Sequence, residues 1–287
     1  MFKRMGRKMV RYLRLHSSTV LVYALLGLLA IVIVFPFYWM MIAGTHTLGG
    51  LMGQWPPPLW FGGQFPKNLN AILSRVPFFR SYANSLLVAG ISTVAQLFFC
   101  SLAGYAFAKY DFPARNQLFF LLLATMMIPS AVSFVPWYIM MGKFGWINRF
   151  EALIVPGMAP AFGIFWLRQV INQTVPDELL QAARIDGAGD FGIYARIVLP
   201  VILPGLGALG IMTFMGTWND YIGPLIILSD VKKFTLPLMV ASLAGWGGSQ
   251  VQLQLLGAAL ATAPMLIVFF LASRQFISGM MSGALKG

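Results

Sequence analysis

Six long stretches of the chain contain no Asp, Glu, Lys or Arg. They cover residues 15–66, 81–108, 116–142, 152–167, 197–219 and 234–273. A soluble fold cannot leave so much apolar chain uncovered, because a folded surface needs polar side chains in contact with water. Only 10% of the 287 residues are charged, against about 25% in an average soluble domain. The sequence therefore predicts an integral membrane protein.

The uncharged stretches are long enough to cross a bilayer as helices, since about 20 mostly apolar residues span its hydrocarbon core. We predict an all-α membrane protein with six transmembrane helices near residues 19–43, 82–107, 117–140, 151–171, 199–228 and 254–274. The first follows a basic segment, as a signal peptide would. Its apolar run is longer than the about 7–15 residues of a signal core, so we expect it to be retained.

The basic residues predict the orientation, because cytoplasmic loops carry an excess of Lys and Arg. With a cytoplasmic N-terminus, the inner segments hold thirteen basic residues: Lys3, Arg4, Arg7, Lys8, Arg11, Arg14, Lys109, Arg115, Arg168, Arg184, Arg196, Arg274 and Lys286. The outer segments hold seven: Lys67, Arg75, Arg80, Lys143, Arg149, Lys232 and Lys233. We therefore expect both termini to be cytoplasmic.

The predicted order of segments follows from these spans. We expect a basic cytoplasmic N-terminus over 1–18, the first helix and an external loop over 19–80, and a core transmembrane domain over 81–274. The core contains a cytoplasmic loop at 172–198, and a cytoplasmic tail follows at 275–287. The external loop is rich in Trp and Pro between Trp55 and Trp60, which suits the membrane interface or contact with an external partner.

Three of the predicted spans carry helix-breaking prolines. Pro129 and Pro136 interrupt the third span, Pro156 and Pro160 interrupt the fourth, and Pro200 and Pro204 open the fifth. Such breaks are tolerated where neighbouring helices or a wet cavity satisfy the freed backbone groups.

The net charge of +12 does not indicate nucleic-acid binding, because the basic residues border apolar spans instead of forming one stripe. The single cysteine, Cys100, lies in an apolar run, and the two histidines, His16 and His46, are far from it in the sequence. We therefore expect no metal site.

The loop at 172–197 holds half of the eight acidic residues: Asp177, Glu178, Asp186 and Asp190. Thr174 and Asp177 have the spacing of a capping box, and Pro176 suits a first helical turn. An apolar side of this helix is predicted from Leu179, Ala182, Ala183 and Ile185.

Gly187 suits a helix end that needs a positive φ, and a second amphipathic piece follows with Phe191, Tyr194, Ile197 and Val198. We call this predicted helix–turn–helix, residues 177–198, the hairpin. A short helix of this kind can insert into a groove on another protein. The alternative is an interfacial helix that only rests on lipid.

The hairpin resembles the EAA loop of the permease subunits of binding-protein-dependent ABC importers. The matching residues are Gln181-Ala182-Ala183, then Gly187 after three residues, then Ile197-Val198-Leu199-Pro200 after nine. The longer stretch from Pro176 to Ala188 is similar to the carbohydrate branch, which includes maltose-permease-like subunits. Other similar stretches are Asn84-Ser85-Leu86, 103–108, Thr217-Trp218-Asn219-Asp220 and 283–287.

This resemblance implies the type I ABC importer permease fold and a sugar or oligosaccharide as solute. It implies a second permease subunit, two cytoplasmic ABC ATPase subunits that hold ATP and Mg, and an extracytoplasmic solute-binding protein. The residues implied in ATPase coupling are Glu178, Gln181, Ala182, Ala183, Asp186, Gly187, Ile197, Leu199 and Pro200. An importer of glycerol phosphate or polyamine and an ion-coupled secondary carrier are the alternatives.

One position departs from the family pattern. Gln181 stands where the family has Glu, and a Gln cannot form an ion pair with a basic residue of the ATPase. Glu178, three residues earlier on the same helical face, is a candidate to compensate.

Candidate solute-path residues are Asn84, Trp218, Asn219 and Asp220. A charge within a membrane is costly, so Asp220 indicates either a function or a structural ion pair. Trp218 and Asn219 offer an apolar ring and hydrogen bonds to a sugar. The loop at 245–248 is a candidate contact of the binding protein, or a plain turn.

The sequence shows no sign of catalysis by this chain. It contains no Gly-rich phosphate loop, which places ATP on a partner, and no Ser/His/acid set. We expect a transport subunit that is not an enzyme and binds no cofactor of its own.

Overall fold

The structure is a computed structural model that describes residues 2–53, 55–244 and 250–284, with the side chains of 19–53, 55–244 and 250–267. Its first helices are α1 (Phe2–Ala43), α2 (Leu48–Met52), α3 (Phe65–Arg75), α4 (Phe78–Lys109), α5 (Arg115–Thr125), α6 (Ser130–Lys143) and α7 (Glu151–Ile154). Then follow α8 (Ala161–Thr174), α9 (Asp177–Ile185), α10 (Asp190–Ile193), α11 (Leu199–Val201), α12 (Leu203–Trp218), α13 (Ile222–Ile227), α14 (Leu236–Ser242) and α15 (Val251–Ala284). Two 3₁₀ turns (Val155–Gly157 and Val231–Lys233) and a π turn (Tyr194–Val198) complete the assignment. The all-α prediction agrees with these elements, and the described residues contain no strand.

Three of the predicted spans appear as helical segments long and apolar enough to cross a membrane: Thr19–Ala43, Phe78–Lys109 and Glu151–Thr174. Two more appear as bent pairs, Arg115–Thr125 with Ser130–Lys143 at 99° and Asp190–Val201 with Leu203–Trp218 at 78°. Counting each pair as one span gives five among the described residues. The sixth predicted span, 254–274, falls on α15, whose described apolar part is Val251–Ile267.

The bends lie at predicted prolines, but the predicted break at Pro136 is wrong, because Pro136 lies inside the continuous helix α6. Pro129 precedes α6 directly, and the Val155–Gly157 turn contains Pro156. Proline removes a backbone donor and disfavours helical geometry in the residue before it, so the helix is interrupted at these points. Pro200 and Pro204 flank the bend at Ile202.

The predicted fifth span, 199–228, is wrong at its end. Helix α12 ends at Trp218, and a separate short helix begins at Ile222. The Asn219 amide donates to the Met215 carbonyl, and the Asp220 carboxylate accepts from the Gly223 amide. Such side-chain bonds to nearby backbone compete with helix continuation, which explains the stop.

The chain divides into two compact units. The first comprises the described parts of 1–71 and 247–260, and the second those of 72–246 and 261–287. In the first unit, the Asn68 amide donates to the carbonyls of Gly44 and His46, each at 2.9 Å. The segment around Trp55 and Trp60 is exposed, with 92% and 80% of these residues accessible.

Close packing between α4, α8 and α12 forms the centre of the second unit. A Cβ on Gly104 would lie 3.0 Å from the Arg168 amide nitrogen, and one on Gly205 would lie 2.7 Å from Val170. Small residues let helices approach closely where lipid supplies no hydrophobic force between them.

We predict that Gly104→Val destabilises the second unit, because the added side chain must push α4 away from the α8 backbone. Overpacking of this kind costs about 1–3 kcal/mol. The measurement is the apparent melting temperature of the purified protein in detergent. Gly90→Val is the matched control on the same helix, since a Cβ on Gly90 meets nothing within 4 Å. Equal melting temperatures for the two variants would contradict this packing.

Candidate functional site

The hairpin forms the predicted helix–turn–helix. Its first helix, α9, ends where Gly187 adopts a φ of +81°. The Ala188 amide then donates to the Ala183 carbonyl at 3.0 Å. This left-handed helix end is the one predicted for Gly187, because a residue without a Cβ adopts it without strain.

The start of α9 differs from the prediction. Thr174 is the last residue of α8, and its hydroxyl donates to the Val170 carbonyl at 2.8 Å. Pro176 is the N-cap residue of α9 and gives no side-chain cap. The predicted capping box is therefore wrong, because Thr174 continues the preceding helix and has its bond there.

The two faces of α9 also differ from the prediction. Leu180 and Ala183 are the buried residues, at 4% and 8% exposure. Leu179 is 41% and Ile185 is 87% exposed, and Ala182 is exposed as well. The predicted apolar side is therefore mostly the uncovered side of this helix, and only Ala183 belongs to the buried one.

The second limb of the hairpin is α10 with the π turn. It buries Ile193, Tyr194 and Val198, whereas Phe191 is 67% exposed. These buried residues join Leu180 and Ala183 in one apolar cluster with residues of α4 and α8: Cys100, Tyr105, Ile164, Leu167 and Ile171. The hairpin is thus packed against the bundle on one face and presents exposed apolar side chains elsewhere.

An ion pair fixes the start of the hairpin. The Lys109 ammonium, at the end of α4, contacts the Asp177 carboxylate at 2.6 Å and donates to the Val175 carbonyl at 2.7 Å. The lysine side chain is 7% exposed, whereas that of Asp177 is 70% exposed. A buried lysine needs such partners, because an uncompensated charge is costly away from water.

A second polar group lies at the turn of the hairpin. Arg184 and Asp190, one from each limb, are 3.6 Å apart, and the Arg184 guanidinium lies 5.6 Å from the centre of the Tyr110 ring. Burial raises the pKa of the Tyr110 hydroxyl. Through its ring contact with Arg184, Tyr110 connects the end of α4 to the turn of the hairpin.

The residues of the predicted coupling set fall into two groups. Glu178, Gln181, Ala182, Asp186, Gly187 and Pro200 are exposed. Ala183 is buried, and Ile197 and Leu199 are partly buried. The exposed members lie along α9, at its end and at the last turn before the bend, so most of the predicted set is accessible to a partner.

The four predicted solute-path residues do not form one pocket in this conformation. Trp218 is 2% exposed, with Phe214 stacked at 5.8 Å and Tyr82 edge-on at 5.6 Å. The Asn84 amide donates to the Lys232 and Phe234 carbonyls, each at 3.0 Å. Asn219 and Asp220 make the local backbone bonds that end α12.

Sequence reasoning missed Asn148, which fixes the segment after α13. Its backbone has a φ of +58°, and its side-chain oxygen accepts from the amides of Ser229 and Asp230. The Lys233 ammonium donates to the Asn148 carbonyl at 2.7 Å. The available signal was the residue type, since Asn adopts the left-handed region more readily than most residues. The predicted loop contact at 245–248 lies outside the described residues, as do the last three residues of the 283–287 stretch.

Comparison with known proteins places these features in a family. The model of the family described as "Binding-protein-dependent transport system inner membrane component" matches residues 100–281. The lactose transport system permease protein LacG of Rhizobium radiobacter is 34% identical over 97% of this chain and 100% of its own length. The arabinooligosaccharides transport system permease protein AraQ of Bacillus subtilis is 35% identical over 73% of this chain and 74% of its own.

A solved structure supports the same fold. One chain of a bacterial ABC transporter involved in the import of the acidic polysaccharide alginate superposes with a TM-score of 0.77. It is 20% identical and covers 90% of this chain and 96% of that chain. The resemblance seen in the hairpin is thereby confirmed: the chain belongs to the family of binding-protein-dependent transport system inner membrane components, which are permease subunits of ABC transporters and not enzymes.

Proposed function

We propose that this chain is the permease subunit of an ATP-driven importer of a sugar or oligosaccharide, and that the hairpin is its docking element for an ATPase subunit. A second permease, two ATPase subunits and an extracytoplasmic solute-binding protein complete the importer, which is surrounded by membrane lipid. ATP and Mg are held by the ATPase subunits.

The observation that carries the proposal is the exposed apolar surface of the hairpin. Leu179, Ile185 and Phe191 are 41%, 87% and 67% exposed, although the opposite face is fully packed. A contiguous exposed apolar patch marks a contact with another protein or with a membrane, and we take these three side chains to form one such patch. A short helix whose apolar side enters a groove on a partner is a recurrent way of recognition. Resting on lipid is the competing explanation, and the experiment below separates the two.

The distribution of charge supports a cytoplasmic hairpin. The end of the predicted bundle that carries the hairpin also carries thirteen of the twenty basic residues, and such an excess marks the cytoplasmic side. Six crossings with both termini in the cytoplasm agree with this distribution.

The mechanism follows from how the hairpin is held. Because its buried face joins α4 and α8 in one apolar cluster, a displacement of the hairpin moves the ends of these helices. Closure of the ATPase subunits on ATP moves the hairpin, and the bundle changes between outward and inward access. Such a change requires two packings that ATP and solute stabilise to different extents.

The sugar assignment is supported by the names of the relatives, which include lactose and arabinooligosaccharide permeases. Asn84, Trp218, Asn219 and Asp220 remain the proposed solute-path residues. With Trp218 buried and the Asn84 amide bonded to two carbonyls, contact with solute requires a different conformation from this one.

We predict that a photo-crosslinking amino acid at Ile185 captures an ATPase subunit in native membranes, because this side chain lies at the centre of the proposed contact. The adducts are identified by mass spectrometry. The same amino acid at Leu87, which is 45% exposed on α4, is the control and is expected to give no ATPase adduct. Adducts with lipid alone at Ile185 would favour the interfacial helix and contradict the docking proposal.

A second prediction concerns the departure at Gln181. Glu178→Ala is expected to lower solute-stimulated ATP hydrolysis by the assembled importer about two- to fivefold, the loss of an interfacial charge worth about 0.5–1 kcal/mol. Gln181→Glu in the Glu178→Ala background is expected to restore it. Glu178→Gln, which keeps the hydrogen bond but not the charge, tests whether charge is responsible. Unchanged ATP hydrolysis in Glu178→Ala would show that Glu178 does not compensate for the missing Glu at position 181.

A third prediction concerns the solute. ATP-dependent uptake into proteoliposomes that contain the complete importer is expected for lactose or an arabinooligosaccharide, the solutes named for the relatives. The same vesicles are expected not to accumulate glycerol 3-phosphate or spermidine. Uptake of only the latter compounds would overturn the sugar assignment while leaving the ATPase docking intact.

A further inference from the structure

A hydroxyl contact joins the hairpin to α4. The Tyr194 hydroxyl lies 2.7 Å from the Ser101 hydroxyl, although the two residues are 93 positions apart in the chain. Tyr194 is 3% exposed and Ser101 is fully buried. Both residues belong to the second unit. The Ser101 hydroxyl donates to the Phe98 carbonyl at 3.0 Å, so in the contact with Tyr194 the tyrosine hydroxyl donates and the Ser101 oxygen accepts.

Two further tyrosine rings extend this contact along the end of α4. The Tyr194 ring lies 5.9 Å from the Tyr105 ring, which in turn packs edge-on against Tyr110 at 5.3 Å. The Tyr110 ring also lies 5.6 Å from the Arg184 guanidinium at the turn of the hairpin. Aromatic pairs at these distances contribute beyond their buried area. We call the contact of Ser101, Tyr105, Tyr110 and Tyr194 the tyrosine latch.

The covalent path from the hairpin to α12 is built differently. It begins with the π turn at Tyr194–Val198, continues through Pro200, and bends by 78° at Ile202. π turns and prolines interrupt the regular backbone hydrogen bonds that stiffen a helix. This connection is therefore less rigid than a continuous helix.

A cavity of about 610 Å³ lies beside this bend. Its walls come from α4, from the π turn and from both sides of the bend: Leu97, Ser101, Tyr194, Leu199, Leu203 and Gly207. The cavity leaves room on that side for the start of α12 to move, although Ile202 itself is buried in the same apolar cluster as Tyr194. The chain path into α12 lacks regular helical hydrogen bonds, whereas the tyrosine latch is a contact between buried side chains.

We infer that Ser101 and Tyr194 are positioning residues for energy coupling, because their contact holds the hairpin to α4. A displacement of the hairpin then moves α4 directly through this contact, and does not depend on the bent chain segment before α12. This inference rests on the proposed role of the hairpin as the ATPase docking element. It adds to that proposal the identity of the contacts through which the motion of the hairpin passes into the bundle.

The experiment measures distances between spin labels in the complete importer in nanodiscs. Labels are placed at Arg196→Cys on the hairpin, outside the proposed ATPase contact, and at Leu87→Cys on α4, both at exposed positions, in a Cys100→Ser background. Distances are recorded without nucleotide and after trapping with ATP and vanadate. The intact latch is expected to keep this distance unchanged by trapping, because the hairpin and α4 move together.

Two hydroxyl deletions, Ser101→Ala and Tyr194→Phe, remove the contact without removing the ring or the helix. In each, trapping is expected to shift or broaden the Arg196–Leu87 distance, with the detached population rising about two- to tenfold, the range set by the net strength of one hydrogen bond. ATP hydrolysis is expected to continue while solute uptake per ATP falls.

Ser92→Ala is the matched control. Ser92 is a buried serine on the same helix, and its hydroxyl has no hydrogen-bond partner among the described residues. Ser92→Ala is expected to give the same spin-label distance and the same solute uptake per ATP as the protein with the intact latch.

The outcomes separate this inference from the proposed function. If no ATPase subunit co-purifies with the chain, the proposed function fails and the inference fails with it. If the ATPase co-purifies and the latch variants keep the unshifted distance and the normal uptake per ATP, the inference alone is wrong. A shifted distance in the protein with the latch intact also contradicts it.

Discussion

The rest of the structure depends on burial of one face of the hairpin against α4 and α8. Leu180 and Ala183 of α9 and Ile193, Tyr194 and Val198 of the second limb lie in the same apolar cluster as Leu167 and Ile171. A fully buried aliphatic side chain contributes about 1.5–3 kcal/mol, so several of them hold the hairpin in one orientation. That orientation leaves Ile185 and Phe191 exposed, and the proposed docking of an ATPase subunit uses these side chains.

Local chemistry explains which parts of this arrangement were predictable from the sequence. The end of α9 at Gly187 depends on one glycine at a positive φ, and the bends at Pro129 and Ile202 depend on nearby prolines. The apolar stretches mark the membrane segments because their length alone matches the bilayer. Each of these features depends on residues that are close together in the chain, so the sequence alone is enough to predict it.

The features that escaped prediction depend on contacts between distant segments. Which face of α9 is buried is decided by α4 and α8, and an even apolar distribution around the helix does not reveal it. The ion pair of Lys109 with Asp177 and the contact of Ser101 with Tyr194 join residues 68 and 93 positions apart. The end of α12 at Trp218 was missed because Asn219 and Asp220 bond to their own backbone, which an apolar count over 199–228 does not register.

The central claim is that the exposed side of the hairpin binds an ATPase subunit, and an equilibrium affinity tests it most directly. The ATPase is titrated onto the solubilised permease carrying Ile185→Glu, with Arg149→Glu as a charge change at an exposed position outside the hairpin. A carboxylate buried in an apolar contact costs more than about 1.4 kcal/mol, so the account predicts at least a tenfold weaker Kd for Ile185→Glu alone. Equal affinities for the unmodified chain and both variants would contradict it.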